Sequence, residues 1–232
     1  MKMKIISKVA ILGFLTILTA CSQISSSEVD ASAIYGELSL KRTEGSASAM
    51  ASATFFVGGP TGTVVQMESP ASVNINGQAA SEVTEPIINM TSYQASVYSN
   101  ANIVYTDKDG QSYSNSLFMP GSLSMNLPSG TVFISQGFTL NYTSTNGFVP
   151  GEQLEITLSG NSNSNYVDAS LITGATSGSA VISGSALNGF FPGALTVSIC
   201  RQSYPSAQSP YPKGTSVSIS SCSNQRTVNL QP

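Results

Sequence analysis

Apolar and polar residues alternate one for one through most of this chain. The alternation is interrupted about every 8–12 residues by Gly, Pro, Asn or Asp. Period-2 patterning sends successive side chains to opposite faces of an extended backbone, one face buried and one wet. It predicts strands over "YGELSL" from Tyr35, "SATFFV" from Ser52, "GTVVQM" from Gly62 and "SVNIN" from Ser72. Further strands are predicted over "SYQASVY" from Ser92, "NIVYT" from Asn102 and "QSYSNSLF" from Gln111. After "MPGS" (Met119–Ser122) a second series runs through "TVFI", "FTLNYT", "EQLEITL", "YVDASLI", "SAVIS", "ALTVSICR", "TSVSISS" and "RTVNL". Apolar residues at helical spacing, with helix formers between them, do not occur.

Two series of short strands define an all-β fold. The expected arrangement is two tandem immunoglobulin-like antiparallel β-sandwiches, residues 35–119 and 120–232, with one larger β-sandwich as the alternative. Tryptophan is absent, so "immunoglobulin-like" describes architecture only. "NGFVPG" from Asn146 and "NGFFPG" from Asn188 repeat an Asn-Gly, aromatic, Pro-Gly turn ahead of a strand. In this reading Pro150 and Pro192 stiffen the turns, and Phe148 and Phe190 or Phe191 close the end of a core.

Composition narrows the class. Charged residues make up only 9% of the chain, far below the usual quarter, and Ser, Thr, Asn, Gln and Gly take their place. That surface suits extracytoplasmic all-β proteins. The formal net charge is −3; of nine basic residues, Lys2, Lys4 and Lys8 precede Cys21, leaving six against twelve acidic ones in the rest. With no basic stripe to neutralise phosphates, nucleic acid is excluded as a partner.

The three lysines and the mostly apolar stretch Val9–Ala20 have the layout of a secretory leader, too short for the roughly 20 residues of a spanning helix. Its end, Leu18-Thr19-Ala20-Cys21, resembles the lipobox of bacterial lipoproteins: a branched apolar residue, two small residues, then cysteine. The resemblance implies a signal peptide over residues 1–20 and a mature chain beginning at Cys21. That cysteine would carry a thioether-linked diacylglycerol and an N-acyl chain such as palmitate. Two or three acyl chains make release from a bilayer slow. Ser22, in place of Asp, favours the outer over the inner membrane by the enterobacterial sorting rule of this family. The serine-rich segment that follows reads as a flexible tether, residues 21–34 in all.

With Cys21 assigned to lipid, Cys200 and Cys222 remain. Both fall on the face opposite Leu195, Val197 and Ile199 in one strand, and Val217 and Ile219 in the other. Neighbouring strands in an oxidising compartment would join them as a disulfide outside the core, worth roughly 3 kcal/mol. The segment between, "RQSYPSAQSPYPKG", holds Arg201, Tyr204, Tyr211 and Lys213 among three prolines. Tyrosine on a proline-stiffened loop is the chemistry of a contact surface, so these four are the expected partner-contact residues.

Catalytic signals are thin. The chain has no histidine, which excludes Ser-His-Asp triads, Cys-His dyads and His-ligated metals. "TDKDGQS" offers Asp107, Asp109 and Ser112 as oxygen ligands, but Gly110 is placed for a hairpin turn rather than for an EF-hand loop. No cofactor is expected. The resulting expectation is a non-enzymatic binding or structural module of the cell envelope, held on the bilayer by acylated Cys21, with an envelope protein or glycan as partner. The alternative is an envelope glycan-acting enzyme that uses a carboxylate pair or Ca²⁺, which requires acids gathered in one cleft.

Overall fold

The computed structural model describes residues 23–85, 90–160, 163–169 and 173–232. The leader and Cys21 lie outside the described residues. Among the described residues the chain is all-β, with three one-turn 3₁₀ helices and no α-helix. The strands come in the expected two series. The first comprises β1 (Ile24–Ser25), β2 (Ile34–Thr43), β3 (Ala49–Val57), β4 (Thr63–Gln66) and β5 (Ser72–Ile75), then β6 (Gln78–Ala79), β7 (Ser81–Glu85), β8 (Met90–Val97), β9 (Asn100–Thr106) and β10 (Ser112–Phe118). The second comprises β11 (Leu123–Asn126), β12 (Val132–Phe133), β13 (Phe138–Ser144), β14 (Gln153–Gly160) and β15 (Asn163–Ala169). It ends with β16 (Ser177–Ile182), β17 (Gly193–Ser203), β18 (Gly214–Cys222) and β19 (Arg226–Gln231).

Alternation becomes burial strand by strand. β2 buries Ile34, Gly36, Leu38 and Leu40, and β13 buries Phe138, Leu140, Tyr142 and Ser144. Tight turns appear where the backbone chemistry allows them. Asn76 and Gly77, at φ 52° and 79°, join β5 to β6 as an Asn-Gly hairpin.

Two hydrophobic cores result, each between two sheet layers. The first lies between the four-stranded sheet β10-β9-β5-β6 and the layer built on β2, β3, β4 and β8, and it is centred on Leu38, Phe55, Ile103 and Tyr105. The second lies between the three-stranded sheet β11-β13-β16 and the layer built on β14, β17 and β19, around Leu140, Ile156, Leu195 and Val197.

One strand crosses from the second series to the first core. β18 runs parallel to β2 over its whole length, from Gly214 beside Tyr35 to Cys222 beside Thr43. It is antiparallel to β17 only from Ile219 to Cys222. The two large layers are therefore one continuous 12-stranded sheet. Val217 and Ile219 of β18 point into the first core, and Tyr211 of the preceding loop joins them there.

Tyr211 is seated among rings. Its centroid lies 5.5 Å from Phe55, 5.3 Å from Tyr105 and 5.5 Å from Tyr113, the last two edge-on. Each such pair adds about 0.5–1.5 kcal/mol beyond burial. The floor of the seat is Gly36, where a Cβ would overlap ring carbons Cε2 and Cδ2 of Tyr211.

The expected tether is corrected from Gln23 onward. Ile24 and Ser25 pair in parallel with Val65 and Gln66, and Val29 is buried in the first core. Glu68 accepts from Ser25 Oγ at 2.6 Å and from Ser27 Oγ at 3.2 Å, while its own N–H donates to Ser26 Oγ at 2.8 Å. Two apolar side chains and a carboxylate partner suffice to fold a segment whose serine content reads as flexible.

Gly36→Ala tests the crossing directly. Expelling or tilting Tyr211 costs about 1–3 kcal/mol by overpacking, measured as a lowered urea midpoint with an unchanged slope. In a Tyr211→Ala background the same substitution costs less, because the side chain it collides with is gone.

Candidate functional site

The junction of the two cores is built around Arg201. Sequence parity places it after Leu195, Val197 and Ile199 on the inward face of β17, and it is 2% exposed. Its Nη1 donates to Ser144 Oγ (2.9 Å) and Asn146 O (3.1 Å), and its Nη2 to Gly147 O (2.9 Å) and Glu152 Oε2 (2.6 Å). The guanidinium carbon stands 4.8 Å from the centroid of Phe148. Glu152 Oε2 also accepts from Val149 N at 2.7 Å. The turn "NGFVPGE" is thus wrapped around a buried cation, which explains why it needs both an aromatic and an acid. Phe190 of the second such turn is buried in the core, and Phe191 is exposed.

This corrects the expected contact surface. Arg201 and Tyr211 are buried, one as the ion-pair hub and the other in the first core. Tyr204 and Lys213 are exposed. The Lys213 backbone N–H donates to Ile34 O at 3.0 Å and helps start the pairing of β18 with β2. The loop between is pinned to the first unit: Asn115 donates to Ser209 O and accepts from Ser209 N, both at 3.0 Å, and Ser116 N donates to Gln208 Oε1 at 3.0 Å.

Cys200 and Cys222 are bonded, directly opposite one another and 22 residues apart in sequence. Cys222 is buried and Cys200 half-buried, so the bond is more enclosed than strand parity implies. Ser223 closes the ladder beyond it, its N–H donating to Ile199 O at 2.8 Å and its Oγ accepting from Ile199 N at 3.2 Å.

Asp107, Asp109 and Ser112 cap the β9–β10 hairpin. Asp107 Oδ1 accepts from Asp109 N and Gln111 N, both at 2.9 Å, Gly110 sits at φ 84°, and Ser112 Oγ hydrogen-bonds Thr106 Oγ1 at 2.9 Å. Asp107 Oδ1 and Ser112 Oγ are thus engaged in the turn itself. Among the described residues no group of three or more His, Cys, Asp or Glu side chains is arranged to hold a metal ion.

A cleft of about 530 Å³ opens beside Arg201, within the size range of small-ligand sites. One wall is the end of β10 and the linker, Asn115–Gly121. A second is the turn Asn146–Glu152, and a third is the start of the loop, Ser203–Gln208. Three large apolar side chains stand exposed on these walls: Phe118 (62%), Val149 (54%) and Tyr204 (60%). The Tyr204 hydroxyl donates to Gln202 Oε1, and the ring also lines a second cleft of about 310 Å³ with Glu37 and Ser39. Neither linker nor turn swings freely, since Arg42 Nη2 donates to Pro120 O at 2.8 Å and a Cβ at Gly121 would meet Asn146 N.

The acids that line these clefts are dispersed. Glu152 lines the large cleft, Glu37 the second and Glu44 a third, one carboxylate to each. Glu152 is committed to Arg201, and burial raises the Glu37 carboxyl above its ordinary value. Phe118 and Val149 escaped the sequence reading because each stands on the solvent side of a segment read for its packing. Nothing along the chain marks the two as neighbours.

No protein-family model matches this sequence, and no curated protein matches it either. Among solved structures, it is similar to one from work on the host cell surface retention of a 1.5-MDa bacterial ice-binding adhesin. The identity is 13% and the TM-score 0.25, covering 85% of this chain and 65% of that one. A likeness at that score carries nothing to the fold or function here.

Two outcomes follow from the buried groups. Glu152→Gln leaves the Arg201 charge buried without its counter-ion and costs about 3 kcal/mol in urea unfolding, whereas Arg201→Met with Glu152→Leu costs less than that single change. Burial pushes the Tyr93 phenol up to about 12, and Tyr105 and Tyr211 rise as well, for the same reason first. The folded chain therefore holds protons that the unfolded chain releases above the ordinary phenol value of 10, and stability falls as pH climbs past it. Near-ultraviolet absorbance should show these phenols ionising together with loss of tertiary circular dichroism.

Proposed function

We propose that this protein is a non-enzymatic binding module of the bacterial cell envelope, held on a membrane through acylated Cys21 and working through the cleft between its two cores. The observation that carries the reading is the collection of Phe118, Val149 and Tyr204, all exposed, on the walls of one cleft whose frame is fixed by an ion pair and a disulfide. A single exposed apolar residue is ordinary; three around one concavity mark a contact site. The pairing of Glu152 with Arg201 supports a structural rather than catalytic role for the acid in the cleft. The lipobox at Leu18–Cys21 supports the anchor, with the outer membrane favoured by Ser22. No helix among the described residues is long and apolar enough to cross a membrane.

Anchor and contact site are tested separately. Full-length chain should take up radiolabelled palmitate and partition into detergent, and Cys21→Ser should do neither; unchanged labelling rejects the anchor. The Cys21→Ser chain, freed of its bilayer contribution, should co-sediment with purified envelope fragments. Adding Phe118→Ser and Tyr204→Ser should weaken this by about tenfold or more. Co-sedimentation indifferent to both residues rejects the cleft.

A further inference from the structure

We infer that the cleft takes an uncharged oligosaccharide; this rests on the cleft being the contact site. Charge comes first. Among the described residues, Arg201 and Glu152 are the only charged ones lining it, and they neutralise each other at 2.6 Å. Nothing is left to offset the desolvation of a charged ligand, so an uncharged one is favoured.

Several main-chain groups of the walls are already engaged, which disfavours an added peptide strand at those points. A peptide that adds a strand needs unpaired backbone groups along an edge. Here Ser116 N is held by Gln208, Asn146 O and Gly147 O by Arg201, Val149 N by Glu152, and Pro120 O by Arg42. An entering strand would have to displace these bonds, one set of them charge-assisted.

The side chains that remain suit a sugar. The faces of Tyr204 and Phe118 are electron-rich surfaces on which the polarised C–H groups of a pyranose ring can lie. The hydroxyls of Ser203 and Ser206, and the NH₂ of Gln208, whose oxygen accepts from Ser116 N, supply uncharged donors and acceptors around them. Apolar plates with a few convergent neutral polar groups fix a ligand that is itself apolar on its faces and hydroxylated at its edge.

The experiment titrates the Cys21→Ser chain with maltotriose, cellotriose and chitotriose, reading saturation transfer and tyrosine fluorescence, the chain having no tryptophan. At least one of the three should bind, with affinity about tenfold or more weaker in Tyr204→Ala. Binding should be unchanged in Tyr98→Ala, a highly exposed tyrosine outside the cleft. Near-ultraviolet circular dichroism of each variant confirms the fold. Failure of all three sugars to bind, or binding that survives Tyr204→Ala, overturns the inference. Protease treatment of the envelope fragments separates this failure from that of the wider reading. If co-sedimentation depends on Tyr204 but is abolished by protease, the partner is a protein, and the saccharide assignment falls while the contact site stands.

Discussion

Everything at the junction depends on β18 serving two cores at once. Its parallel ladder with β2 commits Val217 and Ile219 to the first core, while its last four residues remain paired to β17 of the second. β17 and β18 pair only over the last four residues of β18, and β18 begins at Gly214 beside Tyr35, so the chain must travel from Ser203 to Gly214 across the first unit. The prolines, the Asn115 bridge to Ser209 and the insertion of Tyr211 all serve that crossing. Gly36 is the matching concession in β2, a position where any side chain would occupy the space of the tyrosine ring.

The second constraint is electrostatic. β17 must keep its inward alternation to the point where β18 leaves it, and the next inward position carries a guanidinium. Burying that charge requires an acid, several acceptors and a ring, all of which arrive from one turn, Ser144–Glu152. The cost of enclosing the pair is several kcal/mol per ion before their attraction is counted. Its return lies in position: the turn, the linker and the loop are fixed relative to one another, and the cleft is the space they enclose.

Much of this was legible in the chain. Period-2 alternation located most strands, and the parity of Leu195, Val197 and Ile199 against Cys200, with the same pattern around Cys222, paired the two cysteines. The same parity, carried one residue further, puts Arg201 inside; proximity to a proline-rich loop drew it outward instead. Tyr211 was unreadable because its seat is made by Phe55, Tyr105 and Gly36, which lie more than a hundred residues away in sequence. The fold of Gln23–Ala33 was hidden for a different reason: Ser25, Ser26 and Ser27 look like a linker until Glu68 supplies a partner. The cleft itself is a product of three segments that share no local pattern.

The disulfide also decides how the molecule would bear tension. A pull applied between its two ends reaches Cys200 and passes straight to Cys222, bypassing the 22-residue stretch that the bond closes. At about 3.4 Å per extended residue, roughly 75 Å of contour length is withheld from extension. The withheld stretch contains Tyr211, Val217 and Ile219, the residues the second series lends to the first core. Under such a pull the chain could thus lose many of its other strands while the loop holding its two halves together feels no force along its backbone.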